Sequence, residues 1–253
     1  MLLKGKVIVI TGATKGIGRA IALGAAREGA NVVLGGRDPD AGAMLKAEIA
    51  ALKAGDSVFC QGDLTKIACC EEIIKTALDH FGKLDGLVNY AGTVQASAPL
   101  GDVTQEQFDH MINNNLKSSF FTTQAAIRAM RGKGGSIIFM GSMHAYGGEV
   151  DRPAYACSKG AIYTLFKHVS NNYAQDQIRS NWIAIGWVAT PGEEEFRRKL
   201  GANPDWAKQG NALIPMGRLQ TAEDYVDGTL YLLSDGASQT TGSELLITGG
   251  MKF

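Results

Sequence analysis

The chain has little of what marks several common classes of protein. Its 253 residues include only four cysteines, Cys60, Cys69, Cys70 and Cys157, whose spacing suits neither a zinc site nor a disulfide framework. Cys69 and Cys70 are neighbours in a helical stretch, where side chains one apart do not face each other. His80, His110, His144 and His168 are scattered, so no metal site is expected. No charge is in excess: Lys plus Arg and Asp plus Glu both number 25. That balance speaks against a nucleic-acid footprint and a polybasic membrane patch. No apolar run approaches the ~18 residues that span a bilayer, and Met1 to Lys6 lacks a signal peptide's long apolar core. The expectation is a cytoplasmic protein with reduced thiols and neither nucleic acid nor membrane as partner.

What the chain does have is 45% hydrophobic residues, 32 glycines and a steady alternation of strand-like and helical segments. Val7–Ile10, Asn31–Leu34, Ser57–Cys60, Leu84–Asn89, Ser136–Met140, Ile178–Ile185 and Glu244–Ile247 read as strands. Between them lie helical patterns. The first carries Ile17, Ala20, Ile21, Gly24 and Ala25, the second spans Asp38–Lys53, and a third opens at a Thr65 N-cap and carries Ile73, Ile74, Ala77, Leu78 and Phe81. A capping box, Thr104-x-x-Gln107, opens a long helix with Phe108, Met111, Ile112, Asn115, Ser119 and Ile127 on its apolar face. Another helix runs from Pro153 to Ala174. Residues 190–220 read as irregular and charged, and Thr221-x-x-Asp224 as the cap of the last helix. Helical crossovers imply a parallel sheet covered on both faces. The prediction is one α/β domain over residues 1–253: a Rossmann-type, doubly wound sheet of about seven strands, with a substrate lid near 190–215.

In such a sheet ligands bind outside the carboxyl ends of the strands. Gly12–Gly18, Gly35–Arg37, Asp63, Asn89–Gly92, Ser142 and Gly186–Thr190 should therefore line one crevice. The first of these, Thr11-Gly12-Ala13-Thr14-Lys15-Gly16-Ile17-Gly18, is a strand-to-helix turn that lets backbone approach a ligand and aims a helix N-terminus at an anion. It also fits a tight turn whose glycines serve packing alone. Tyr155-x-x-x-Lys159 sets a phenol and an ammonium on one helix face, where the ammonium should lower the phenol's pKa for proton transfer; the pair also fits a surface contact. Ser142 could hold a substrate oxygen, or simply form a turn. Asn115 is polar on an apolar face and must be satisfied once buried, whether as part of a water relay to Lys159 or as a helix kink.

Thr11-Gly12-x-x-x-Gly16-Ile17-Gly18, Asn89-Tyr90-Ala91-Gly92, Asn115, Ser142 and Tyr155-x-x-x-Lys159, in this order, resemble the short-chain dehydrogenase/reductase family. The likeness runs through essentially the whole chain, to Ile214-Pro215-Met216-Gly217-Arg218 and Thr241-Gly242. The resemblance implies Tyr155 as general acid/base, Lys159 lowering its pKa and holding the nicotinamide ribose, Ser142 orienting the substrate, and Asn115 maintaining a relay water. It implies a cofactor surface of Gly12, Thr14, Lys15, Gly16, Ile17, Gly18, Arg37, Asp63, Leu64, Asn89, Ala91, Gly92, Tyr155, Lys159, Gly186, Val188 and Thr190, with Asp63 at the adenine. It also implies a homotetramer or homodimer built through the long helices. Three departures stand out: Tyr90 for the family's usual second Asn, Ile185 for its usual Pro, and Thr248-Gly249-Gly250 for Asp-Gly-Gly.

Cofactor choice turns on the second strand. The position for a carboxylate that would bond a ribose 2′-OH is filled by Gly36, and Arg37 follows. Arg37 and Lys15 together suit a 2′-phosphate, so NADP(H) is preferred over NAD(H), although both are also plausible solvated charges and Asp38 is placed to neutralise Arg37. Ser142, His144, Tyr155 and Trp187 are the substrate candidates, with Met143, Tyr146, Glu149 and the 190–215 segment around them. Glu193 to Glu195 and Arg197 to Lys199 pair at i, i+4 in a solvated lid. The substrate class is a small polar or hydroxylated ketone or sugar-like alcohol. Alternatives are an NAD-dependent polyol or sugar dehydrogenase, a 3-oxoacyl-carrier-protein reductase, and an NADP(H)-sensing binding protein.

Overall fold

Strands that bury both of their faces dictate the architecture. In β1 (Val7–Ile10) every residue is buried. Ile8 and Ile10 enter one core and Val7 and Val9 another, following the two-residue period of a strand. Such a strand needs helices above and below. The computed structural model, which describes residues 1–94, 98–148, 150–199 and 201–251, supplies them. With β2 (Asn31–Gly36), β3 (Ser57–Gln61), β4 (Gly86–Asn89), β5 (Gly135–Met140), β6 (Ile178–Ile185) and β7 (Glu244–Ile247) it forms a seven-stranded sheet of order β3-β2-β1-β4-β5-β6-β7. All pairings are parallel.

One face packs against α1 (Gly16–Arg27) through Ile17 and Ile21, α2 (Pro39–Leu52) through Leu45 and Ile49, and, near the C-terminal end, the helix at Val226–Leu233 through Leu230. The other packs against α3 (Ile67–Phe81) through Ile73 and Ala77, a central helix at Ser118–Met130 through Ile127 and Met130, and a long helix at Pro153–Asn172 through Ile162 and Phe166. Chain order reverses between β1 and β4, which opens the crevice where such folds bind ligands. No helix of the described residues is long and apolar enough to cross a membrane.

Four details differ from the sequence expectation. The residue that precedes α3 is Lys66, not Thr65; the Thr65 amide donates to Asp63 Oδ1 at 3.1 Å, so Asp63 shapes this turn. The helix opened by Thr104 does carry its capping box, but it is split into α4 (Gln105–Met111), a π turn at Ile112–Lys117 and α5 (Ser118–Met130). After α6 (Pro153–Asn172), the 190–220 stretch is largely helical, with α7 (Pro191–Lys199) and α8 (Trp206–Leu213). Finally, Thr221 does not cap α9 (Val226–Leu233). Its amide donates to Asp224 at 2.7 Å, and Asp224 also receives both terminal guanidinium nitrogens of Arg218 at 2.7 Å.

Candidate active site

The glycine turn is shaped by what its missing side chains permit. Gly12 and Gly16 have φ of 68° and 56°, left-handed values that glycine adopts without strain. A Cβ on Gly12 would stand 3.1 Å from Ala91 Cα, so the turn lies against the segment after β4. Thr11 fixes that approach: its hydroxyl accepts the Tyr90 and Ala91 amides, each at 3.0 Å. Lys15 precedes α1 without a side-chain cap, leaving the helix start an electropositive row of amides beside Thr14, Gly16, Ile17 and Gly18.

The remaining strand ends converge on this turn. Asn89 is buried and donates to Thr123 on α5 at 2.9 Å. Gly92 adjoins the Asn115 carboxamide. Beyond β6, the Gly186 amide donates to the Tyr225 hydroxyl at 3.2 Å, and Val188 is buried and bridged to Gln220. Thr190 sets its methyl 3.8 Å from where a Cβ of Gly16 would be, while its hydroxyl accepts the Glu193 amide and opens α7. At the other end, Leu64 accepts a hydrogen bond from the Cys70 thiol at 3.2 Å. The Asp63 carboxylate is held below its usual range by Thr65, with a further pull from Arg37. Arg37 and Lys15 are both exposed. An uncapped helix start, a glycine cradle and acceptors spread along one crevice fit the diphosphate and flanking ribosides of a dinucleotide.

At the carboxyl end of β5, Ser142 is buried, and its hydroxyl accepts the His144 amide at 3.2 Å. Tyr155 lies in the first turn of α6. Burial pushes its phenol upward, a hydrogen bond with Ser142 and the charge of Arg152 pull it down, and Glu193 pushes it up; the net direction is up. Lys159, one turn along, is buried with Nζ 5.7 Å from the Tyr155 ring centre. Burial lowers its ammonium to about 8. Desolvation is the largest influence on both groups, and Arg152 is a cation whose charge draws the phenol down.

Asn115 is fully buried and fully used. Its Oδ1 accepts the Thr93 amide at 2.8 Å, and its Nδ2 donates to the Thr93 carbonyl and to Ser158 Oγ, both at 3.0 Å. Ser158 immediately precedes Lys159, so Asn115 ties the π turn to the α6 segment that carries the ammonium.

His144 sets its ring edge-on to Tyr155, centroids 5.5 Å apart, and Arg152 Nη1 is 3.5 Å from His144 Nε2. Arg152 also lies over the Phe196 ring at 5.5 Å. Trp187 donates its indole N–H to Glu193 at 3.0 Å and stacks on Trp206, centroids 6.2 Å apart. Arg197 joins this group through Glu193 at 2.8 Å and the Trp187 face at 4.7 Å. The charged run is therefore not wholly a solvated lid: Glu193 is 13% exposed in its side chain, and its charge acts on the Tyr155 phenol. Tyr146 is outside the crevice, because its hydroxyl donates to Glu244 on β7 at 2.8 Å. Met143 is buried in the core, and Glu149 lies outside the described residues. Arg152, Phe196 and Trp206 carried no recognisable local signal, since their importance comes from segments distant in sequence, whereas Tyr90 showed only as a departure from the family's usual Asn.

A buried phenol under the influence of a buried serine, with a weakly solvated amine one helical turn away, is equipped to give and take a proton at a carbonyl or hydroxyl oxygen. The comparisons agree with this chemistry. The family described as "Enoyl-(Acyl carrier protein) reductase" matches residues 12–252. An L-rhamnose 1-dehydrogenase (NAD(P)(+)) of Azotobacter vinelandii is 33% identical, over 99% of this chain and 98% of its own length. A D-beta-hydroxybutyrate dehydrogenase of Rhizobium meliloti is 36% identical, over 97% and 98%. A solved short-chain type dehydrogenase/reductase from Mycobacterium marinum superposes with a TM-score of 0.89 at 33% identity, over 98% of this chain and 96% of that one. With this fold, these strand-end residues and matches along nearly its whole length, the chain belongs to the short-chain dehydrogenase/reductase family and is an oxidoreductase acting on CH–OH groups.

Proposed function

We propose that the chain interconverts a small polar or hydroxylated ketone, or a sugar-like alcohol, with its redox partner using NADP(H), and that Tyr155 is the general acid/base. The observation that carries this reading is the convergence of buried Ser142 at the end of β5 with Tyr155 and Lys159 on α6, Lys159 Nζ lying 5.7 Å from the Tyr155 ring centre and Ser142 acting on the titration of the Tyr155 phenol. Hydride exchange at carbon is the chemistry a bound nicotinamide supplies. At the substrate oxygen, Ser142 donates or accepts a hydrogen bond while Tyr155 gives or takes the proton. Lys159, its ammonium lowered to about 8 by burial, lies beside the phenol and buffers that proton. Asn115 keeps the backbone of the π turn and α6 in register. Tyr155→Phe should lower turnover ~10²–10⁴-fold with nucleotide binding intact. Retained turnover would remove Tyr155 from the role, and an unchanged biological effect without any turnover would favour a nucleotide-sensing protein.

NADP(H) preference rests on the end of β2. A Cβ on Gly36 would stand 2.6 Å from Thr14 Cγ2 and 3.2 Å from Phe59 Cε2, so a carboxylate side chain would be crowded there. Arg37 follows, and Asp38 is occupied as the cap of α2, accepting the Asp40 and Ala41 amides at 3.0 and 3.1 Å. Assembly as a homotetramer or homodimer is supported by a surface groove between α5 and α6 that includes Phe120, Ile127, Leu165 and Val169. Free thiols at all four cysteines support a reducing, cytoplasmic setting.

A second reading, a hydroxy acid as substrate, is favoured by Arg152 beside His144 and Tyr155 and by the hydroxybutyrate dehydrogenase among the relatives. A screen of sugars, polyols, ketones and hydroxy acids with both coenzymes, followed at the reduced-nicotinamide absorbance, separates the two.

A further inference from the structure

Tyr90 stands where the family's usual sequence has Asn, and its side chain crosses the glycine turn. Its ring fills space that the glycines leave: Cδ1 would be 3.3 Å from a Cβ on Gly12 and 2.8 Å from one on Gly18. Its hydroxyl is 3.4 Å from the corresponding position on Gly16, on the side where Thr190 also approaches at 3.8 Å. The ring packs against the core beneath the turn, and the phenol oxygen ends at the first residues of α1, between the glycine turn and the loop after β6.

We propose that Tyr90 is a cofactor-positioning residue, its phenol oxygen accepting the Ile17 amide at the start of α1 and its O–H donating to the diphosphate of the bound dinucleotide. The inference rests on the nucleotide-binding reading of this crevice. A phenol has one proton to donate besides the lone pairs with which it accepts. Burial raises the phenol to about 12, with the Ile17 amide as a smaller influence in the opposite direction, so the group stays protonated and able to donate at ordinary pH. The direction of the bonds follows: the amide gives to the phenol, and the phenol gives to an anion at the helix N-terminus, where negative charge is favoured. Tyr90 also lies close enough to Tyr155 for the two phenols to sense each other's charge. One side chain therefore connects the phosphate end of the crevice to its proton-transfer end. An Asn side chain, shorter by most of a ring, would leave the Ile17 amide to the ligand alone.

The test compares Tyr90→Phe with wild type by calorimetric binding of NADPH, NADH and adenosine 2′-monophosphate, and by steady-state kinetics. Phe keeps the ring, so packing on Gly12 and Gly18 is retained; Tyr90→Asn, the family's usual residue, is the second variant. Tyr90→Phe should weaken both dinucleotides by about tenfold or more, the scale of a hydrogen bond to a charged group. The monophosphate should bind as before, and KM for coenzyme should rise with kcat little changed. Equal weakening of all three ligands would reduce Tyr90 to a packing role. Tighter dinucleotide binding by Tyr90→Phe would show that the hydroxyl obstructs the anion, and would overturn the proposal. Failure of wild type to bind either dinucleotide would instead refute the nucleotide reading beneath it.

Discussion

Lys159 Nζ donates to the backbone carbonyl of Met140 at 3.2 Å, within a buried setting that holds the ammonium near 8. Unfolded, the same lysine titrates near ~10.4. Between those values the unfolded chain binds more protons than the folded one, so stability from this group rises with pH through that window. Lys159→Met should therefore unfold at a higher temperature than wild type at pH 7, and the gap should narrow toward pH 10. Thermal denaturation of both across pH 6–10 checks this, and a gap independent of pH would mean that the charge is not its source. Turnover should fall ~10²-fold or more in the variant.

Gly36→Asp should fail as a simple route to NADH use. Its Cβ would meet Thr14 Cγ2 at 2.6 Å, an overpacking that costs about 1–3 kcal/mol. Pairing it with Thr14→Ala removes the nearest obstacle and leaves Phe59 Cε2 at 3.2 Å. The double variant should recover stability and shift the ratio of kcat/KM for NADPH and NADH toward NADH. Efficient NADH use by the single variant would show that Thr14 yields freely.

Arg197→Ala should loosen the clasp of α7 and α8 on Trp187. The guanidinium lies 4.7 Å from the Trp187 centroid and 6.0 Å from that of Trp206, contacts worth about 0.5–2 kcal/mol. Substrate KM should rise roughly 2–30-fold while coenzyme KM stays put, and limited proteolysis should cut the 191–213 region faster. A matching rise in both KM values would place the effect on the whole crevice instead.

Asn115→Leu should destabilise the fold by roughly 2–4 kcal/mol, because it strands the buried partners of a carboxamide that makes three short bonds. Urea unfolding measures this directly. A loss of turnover without loss of stability would give the side chain a role in the chemistry itself.

Much of the site was legible because its signals are local. The strand Val7–Ile10, the glycine turn, the Thr104 capping box and the four-residue step from Tyr155 to Lys159 each need only their own neighbourhood. Gly36 likewise announced a vacant carboxylate position. What escaped depends on distant segments meeting. Glu193 read as a solvated charge until α7 brought it to Trp187 and Tyr155. Arg152 had no pattern of its own before Phe196 and His144 closed around it. The titration of Lys159 could not be read from its spacing, since the dominant influence is burial, a property of the folded whole.

The π turn at Ile112–Lys117 acts as a phase shifter. A regular helix advances each residue by about 100°, so the one surplus residue in a wide turn re-aims everything after it by about that angle. Met111 before the turn and Asn115 within it face the core, as do Thr122, Thr123 and Ala126 after it, while Phe108 and Phe120 are turned outward. Removing one residue from the turn would leave α4 and α5 helical but rotate the second against the first. Asn89 would lose Thr123, and the outward face of α5 would present a different set of side chains to any neighbouring copy. Length in this segment is a coordinate of the active site, and a one-residue change there would act as a rotation rather than as a loss.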